Sequence, residues 1–265
     1  MTTLSNAALA PAVNRVPKVT VDFWLVKLLA VTVGETAADF LSADLGLGLP
    51  TTSWIMSGFL VVALIMQFSK KKYVPLVYWV AVVLISIVGT LITDYLVDDL
   101  GVSLESTSLF FATALLATFA AWYFSEKTLS IHTIYTTKRE SFYWLTILLT
   151  FALGTAAGDY AAEGLALGFL QAALIYGTII TVVALTYYAD RMNGILAFWL
   201  AYILTRPMGA SFGDYLSQTP DNGGLGFGTV ITSAFFLAGI VGIILYMTLS
   251  RNGDETTAAV AREEA

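Results

Sequence analysis

The sequence has no cysteine and a single histidine, His132. These absences exclude a disulfide framework, thiolate metal sites and an imidazole cluster within one chain. Charged residues are also scarce, at 12% of the chain, whereas 57% of the 265 residues are hydrophobic. This composition excludes an ordinary water-soluble domain and indicates an integral membrane protein with the lipid bilayer as its first partner.

Positive charge is the scarcer of the two signs. The chain has 13 lysines and arginines against 19 acidic residues, which gives a net charge of -6 at pH 7. A nucleic-acid partner would need a basic surface, so we expect none. A phosphate-binding glycine loop, a nucleophile elbow and a zinc signature are also missing from the sequence, so we expect neither an enzyme nor a required cofactor.

Long apolar runs are what the sequence has instead. A bilayer core of roughly 30 Å needs about 20 mostly apolar residues per helix, and eight runs approach this length. They predict an all-α integral membrane protein with spans at 22–41, 53–68, 76–97, 108–124, 142–162, 170–188, 194–216 and 230–249. The spans form a single domain, residues 22–250, between an N-terminal tail, residues 1–21, and a C-terminal tail, residues 251–265.

Outside the spans, lysine and arginine lie in every second connection, and therefore on one side of the predicted membrane. Basic residues precede the first span and follow the second, fourth, sixth and eighth, whereas the other four loops carry only acidic charge. Because cytoplasmic loops are enriched in basic residues, both termini are predicted to be cytoplasmic. Lys27 and Arg206 are the exceptions that fall inside spans, and we expect Lys27 to extend its ammonium to the inner interface.

A tryptophan, a glycine, an aspartate and an aromatic residue recur in one frame in every odd-numbered span. Relative to the aspartate they lie at -15, -5, 0 and +1. The four sets are Trp24, Gly34, Asp39, Phe40; Trp79, Gly89, Asp94, Tyr95; Trp144, Gly154, Asp159, Tyr160; and Trp199, Gly209, Asp214, Tyr215. Each repeat contains two spans, so the sequence predicts four parallel-repeat helical hairpins with pseudo-fourfold symmetry, at about residues 22–74, 75–130, 140–193 and 194–250. We interpret the tryptophans as an interfacial aromatic belt and the glycines as positions of close helix packing.

The repeated aspartates need an explanation, because a carboxylate within a membrane span costs free energy. Two interpretations fit Asp39, Asp94, Asp159 and Asp214. In one, each aspartate caps backbone N–H groups of its own loop or of the following helix. In the other, the four form a cation-binding and translocation site, as rings of acidic residues do in cation pores. Oxygen ligands favour Mg²⁺, Ca²⁺, Mn²⁺, Na⁺ or H⁺.

The repeats differ near the aspartates. Glu35 lies one turn before Asp39, so this pair is the predicted metal site, where a divalent cation would bind. Thr36 and Ser211 each lie three residues before an aspartate and are expected to add hydroxyl oxygens to the cation site.

Arg206 is a guanidinium within a predicted span, and such a group needs a partner. It is expected either to neutralise Glu35 or Asp214, as a charge partner, or to anchor an anionic substrate.

Three segments resemble a known group of proteins: VGETAADF at 33–40, GTAAGDY at 154–160 and RPMGASFGDY at 206–215. They are similar to an uncharacterised bacterial family of multi-pass inner-membrane repeat proteins with four G-x-x-x-x-D-[FY] hairpins. The resemblance covers about residues 22–250. It implies a multi-pass protein of the bacterial inner membrane and no particular activity.

The sequence favours a transporter or channel for a small cation, either a divalent metal such as Mn, Mg or Ca or a cation coupled to protons. Two alternatives stay open. One is a proton-coupled carrier of a small organic anion anchored at Arg206, and the other is a structural membrane protein that transports nothing. The sequence sets no oligomeric state.

Overall fold

A computed structural model describes residues 13–263, with side-chain environments for residues 13–249. Within this part the chain is all-helical, with eight long helices. They are α1 Val21–Asp39, α2 Leu49–Phe68, α3 Pro75–Asp94, α4 Leu104–Glu126, α5 Thr137–Asp159, α6 Phe169–Tyr188, α7 Gly194–Ser217 and α8 Thr229–Glu263. Each predicted span overlaps one of these helices, and α8 continues through most of the predicted C-terminal tail. Most of the predicted N-terminal tail, residues 1–12, lies outside the described residues.

The described helices α2 to α8 are each long and apolar enough to cross a membrane. Large apolar side chains such as Trp54, Leu116 and Phe235 are exposed on them, as expected for surfaces in contact with lipid. These features indicate a multi-pass membrane protein. The first predicted span, α1, is not among these seven helices, because its 19 residues include four ionisable side chains, Asp22, Lys27, Glu35 and Asp39.

The odd-numbered helices, here called the inner helices, contact one another in a cycle. α1 packs on α3, α3 on α5, α5 on α7, and α7 on α1. The even-numbered, outer helices surround this ring, and each packs mainly on the inner helix that follows it: α2 on α3, α4 on α5, α6 on α7, and α8 on α1. The predicted hairpins are therefore correct in connectivity, but the two helices of a repeat bury little surface against each other.

The repeated glycines allow the inner helices to approach closely. A Cβ added at Gly89 would overlap the Cβ and backbone of Phe151 on α5, and one at Gly154 would overlap the side chain of Arg206 on α7. Gly34 and Gly209 meet the next inner helix in the same way. In all four repeats the residue that the added Cβ would overlap lies eight residues before the repeated aspartate of the neighbouring inner helix. The predicted role of these glycines in helix packing is confirmed.

The repeated tryptophans lie at one end of the inner helices, here called the tryptophan end. Trp79, Trp144 and Trp199 are buried, at no more than 4% exposure, within the main hydrophobic core. The interpretation as a lipid-facing aromatic belt is therefore wrong for these three residues. Each indole N–H has a partner inside the protein; that of Trp199, for example, donates to the carbonyl of Leu129 at 2.9 Å. Apolar surface and a satisfied donor make tryptophan equally suited to a core.

Residues before α1 close the tryptophan end. The amide oxygen of Asn14 accepts from the backbone N–H of Ile134 at 3.0 Å, and Val16 belongs to the hydrophobic core. Arg15 forms an ion pair with the fully buried Glu140 at 2.8 Å. This short stretch of the predicted N-terminal tail is thus an integral part of the packed domain.

Candidate functional site

The helical backbone does not end at the repeated aspartates. α1, α3 and α5 continue into π-helical turns, Phe40–Asp44, Tyr95–Asp99 and Tyr160–Gly164, and α7 continues to Ser217. Asp39, Asp94 and Asp159 form no side-chain cap hydrogen bond there. The capping interpretation is therefore wrong for these three residues. A π-helical turn often marks a functional position in a helix.

The four aspartates instead line a single cavity of about 720 Å³ at the opposite end of the ring, here called the aspartate end. Glu35, Asp98 and Glu163 line the same cavity, so seven carboxyl groups face one space. No lysine, arginine or histidine of the described chain lies in this lining. We call this space the acidic vestibule.

Two layers of side chains form most of the acidic wall. One layer contains the aspartates at offset 0, and the other contains residues one turn later, at +4: Ala43, Asp98, Glu163 and Gln218. Because the backbone stays helical past the aspartates, positions four residues apart lie on the same side of each inner helix. The predicted spans end at residues 97 and 162, so the sequence predicts Asp98 and Glu163 in loops. Their shared position, four residues after a repeated aspartate, is the sequence signal that could have identified them.

The carboxylates differ in exposure and in partners. Asp214 is the most enclosed of the four aspartates, at 6% exposure, and within residues 13–249 it forms neither a hydrogen bond nor an ion pair. Asp39 accepts a long hydrogen bond of 3.5 Å from the amide of Gln218. A buried carboxylate without a partner is costly, so the vestibule is suited to a cation from solution.

Arg206 lies behind the vestibule wall, paired with the lining residue Glu35. Its Nη1 atom lies 3.0 Å from Oε2 of Glu35, and both side chains are buried. Of the two carboxylate partners considered from the sequence, the structure places the guanidinium on Glu35. The Nη2 atom donates to Thr155 Oγ1 at 2.7 Å and to Thr90 Oγ1.

These contacts join the inner helices across the ring. Glu35, Thr90 and Thr155 occupy the same position, four residues before the aspartate, in α1, α3 and α5. Thr90 also donates to Glu35 at 3.2 Å. One guanidinium from α7 therefore binds all three other inner helices.

Lys27 lies still closer to the tryptophan end. It is fully buried, so the prediction that its side chain extends to the interface is wrong. Its ammonium donates to Thr205 Oγ1 at 2.9 Å and lies 4.2 Å from the ring centre of Tyr202 and 4.9 Å from that of Phe151. Hydrogen bonding and aromatic faces thus stabilise the ammonium, which has no carboxylate in ion-pair contact among the described residues.

Two predicted ligands lie away from the vestibule. Thr36 shares a hydrogen bond of 2.6 Å with Ser233 on α8, and Ser211 faces Gly158 on α5. The structure does not bring either hydroxyl into the vestibule lining.

The predicted metal pair of Glu35 and Asp39 lines the vestibule, but Glu35 already has Arg206 as its partner. Across the described residues, no three Asp, Glu, His or Cys side chains are grouped closely enough to hold one metal ion. The carboxyl groups of the vestibule therefore surround a space rather than converge on a point.

A comparison with protein families agrees with this fourfold organisation of the chain. A family model described as a Repeat of Unknown Function (DUF347) matches four times, at residues 23–73, 77–128, 142–193 and 197–252. No curated protein and no solved structure matches the chain. Because the four matches together cover most of the sequence, the protein belongs to the DUF347 repeat family.

Proposed function

We propose that this protein is a membrane transporter or channel for a small cation, which it receives in the acidic vestibule. One observation carries the proposal: the aspartates at the same position of all four repeats line a single cavity. Sites of concentrated negative charge in membrane helices are typical of cation pathways. A divalent metal in its hydrated form, or a cation coupled to protons, is the expected substrate.

The architecture proposed with this function has eight spans, because α1 is enclosed by α3, α7 and α8. The G-x-x-x-x-D-[FY] frame marks each repeat, and the cyclic packing of inner helices favours pseudo-fourfold symmetry. Basic residues cluster toward the tryptophan end, which favours cytoplasmic termini. In a bacterial inner membrane the vestibule would then open toward the outside.

Two buried basic residues behind the vestibule bear on how a cation would pass. Arg206 and Lys27 place two buried basic groups beyond the aspartates, and the aromatic core fills the tryptophan end. A fixed basic group in a pathway opposes the passage of cations. The present conformation is therefore closed, and passage would require the ion pair between Arg206 and Glu35 to separate.

The two alternatives receive less support. An organic anion anchored at Arg206 would have to displace Glu35, and Arg206 is absent from the vestibule lining. A purely structural role for the aspartates would need the cap hydrogen bonds that Asp39, Asp94 and Asp159 do not form.

Flux measurements in proteoliposomes test the proposal. Wild-type protein is compared with Asp39→Asn under gradients of Mn²⁺, Mg²⁺, Ca²⁺, Na⁺ and H⁺. Asp99→Asn is the matched control, because Asp99 is exposed at the same end but does not line the vestibule. We expect flux of at least one ion that is lost in Asp39→Asn and kept in Asp99→Asn. Equal flux in wild type and Asp39→Asn, or no flux of any tested ion, would contradict the proposal.

A further inference from the structure

The vestibule has the size and composition of a small-molecule site. Its volume of about 720 Å³ equals that of on the order of 20 water molecules and falls within the range of pockets for organic ligands. The lining is not only acidic. Four apolar side chains also line it: Leu49, Val97, Leu104 and Phe169. An organic cation can contact these surfaces with its carbon atoms, which a hydrated metal ion does not require.

Asp214 is an independent indication that a cationic group binds in the vestibule. Its side chain is more than nine-tenths buried, lines the vestibule, and has no hydrogen bond or ion pair within residues 13–249. Burying such a carboxylate is unfavourable unless a donor or a positive charge approaches it. The described protein supplies neither, since Arg206 is bound to Glu35.

A dehydrated metal ion does not fit this arrangement. Mg²⁺ and Ca²⁺ need several oxygen atoms at about 2.0–2.6 Å from one point. In the described part of the chain, no three acidic, histidine or cysteine side chains are grouped in this way. Ammonium groups have a different requirement, because each can donate hydrogen bonds to carboxylates that lie apart from one another.

We infer that the acidic vestibule binds an organic polyamine, a chain with two or more ammonium groups separated by methylene segments. The aspartate layer and the +4 layer lie about one helical turn apart, which allows one chain to pair with both. Leu49, Leu104 and Phe169 offer contact to its methylene groups. A quaternary ammonium would need an aromatic cage, but Phe169 is the one aromatic residue of the described lining.

This inference rests on the proposed function, a pathway for a small cation, and takes an organic cation as its substrate in place of a divalent metal. Equilibrium binding to the full-length protein in detergent tests it, with spermidine, putrescine and butylamine as probes and Mn²⁺, Mg²⁺ and Ca²⁺ measured in parallel. We expect spermidine to bind at least about tenfold more tightly than butylamine, because a monoamine can neutralise only one carboxylate.

Variants locate the site. Asp214→Asn and Asp98→Asn should each weaken spermidine binding by about tenfold, whereas Asp99→Asn should leave it nearly unchanged. Asp98 and Asp99 are adjacent and both exposed, but only Asp98 lines the vestibule, so the pair controls for overall charge. Asp98→Asn also provides a test at an exposed position if the buried Asp214→Asn variant fails to fold.

The outcomes separate this inference from the function on which it rests. Metal binding that Asp214→Asn abolishes, without spermidine binding, would overturn the polyamine assignment and leave the cation function intact. Spermidine binding that is equal in all variants would also overturn it, because the amine would then be bound elsewhere. Binding of neither amines nor metals, together with no flux of any tested ion in liposomes, would remove both proposals.

Discussion

Arg206 on α7 and Glu35 on α1 form a buried ion pair, 3.0 Å between Nη1 and Oε2, and of the two only Glu35 lines the acidic vestibule. Removing one member of such a pair leaves the other charge buried without compensation. We therefore expect Glu35→Gln to lower the free energy of unfolding by about 3–5 kcal/mol. Thermal unfolding in detergent measures the effect.

The double variant Glu35→Gln/Arg206→Gln provides the control for this pair. Replacing both charges removes the uncompensated group, so the double variant should be more stable than Glu35→Gln alone. If the double variant loses as much stability as Glu35→Gln and Arg206→Gln do together, the ion pair contributes no coupling energy.

Gly89→Ala tests the close approach of α3 and α5. A Cβ at this position would meet the Cβ of Phe151 at 2.7 Å and the backbone N of Ala152 at 3.1 Å, so a side-chain rotation cannot relieve the overlap. We expect a loss of about 1–3 kcal/mol in stability. Gly58→Ala on α2 is the control, because a Cβ there meets nothing within 4 Å. A similar loss in both variants would mean that helix packing is not the cause.

The ion pair between Arg15 and Glu140 secures the residues before α1 to the tryptophan end. Glu140 is fully buried and also accepts a hydrogen bond of 2.9 Å from Gln67. Glu140→Gln should destabilise the protein by about 3 kcal/mol and increase proteolysis within the first 20 residues. Lys138→Gln, which removes a solvent-exposed partner of Glu126, should change neither measurement. An unchanged cleavage pattern in Glu140→Gln would contradict this account.

Lys27→Met replaces a buried ammonium with an apolar side chain of similar length. Because no described carboxylate pairs with Lys27, we expect the apparent Tm to stay the same or rise. Lys27→Ala leaves a cavity and should lower stability by about 2 kcal/mol or more. A fall in Tm for Lys27→Met as large as for Lys27→Ala would show that the ammonium itself is required for folding.

The sequence predicts the repeat and the inner helices well, because the spacing of four residue types can be recognised whether a helix faces lipid or the protein core. Its periodicity identifies Asp39 and its three equivalents, and it identifies the glycines as packing positions. Hydropathy is less informative within a membrane protein. Lipid-facing and core-facing surfaces are both apolar, so hydropathy does not distinguish them. The sequence therefore predicts Trp79 and Lys27 at the membrane interface, whereas both are buried in the ring.

The sequence does not predict two acidic residues of the vestibule, Asp98 and Glu163, for a different reason. Charged residues and glycine usually mark the end of a membrane helix, so the sequence predicts Asp98 and Glu163 in loops. The π-helical turns continue the helix for five residues and return these side chains to the same wall. Such a turn depends on the tertiary packing of the ring, which a single-sequence pattern does not contain.

Each repeat places its outer helix on the following inner helix, and α8 completes the cycle on α1. An isolated repeat would leave both of its helices without their main partners, so we do not expect one to fold alone. The number of repeats matters because the cycle closes only where the last outer helix reaches the first inner helix. A polypeptide with only two of them would have to recruit a second copy of itself before its first and last helices were covered.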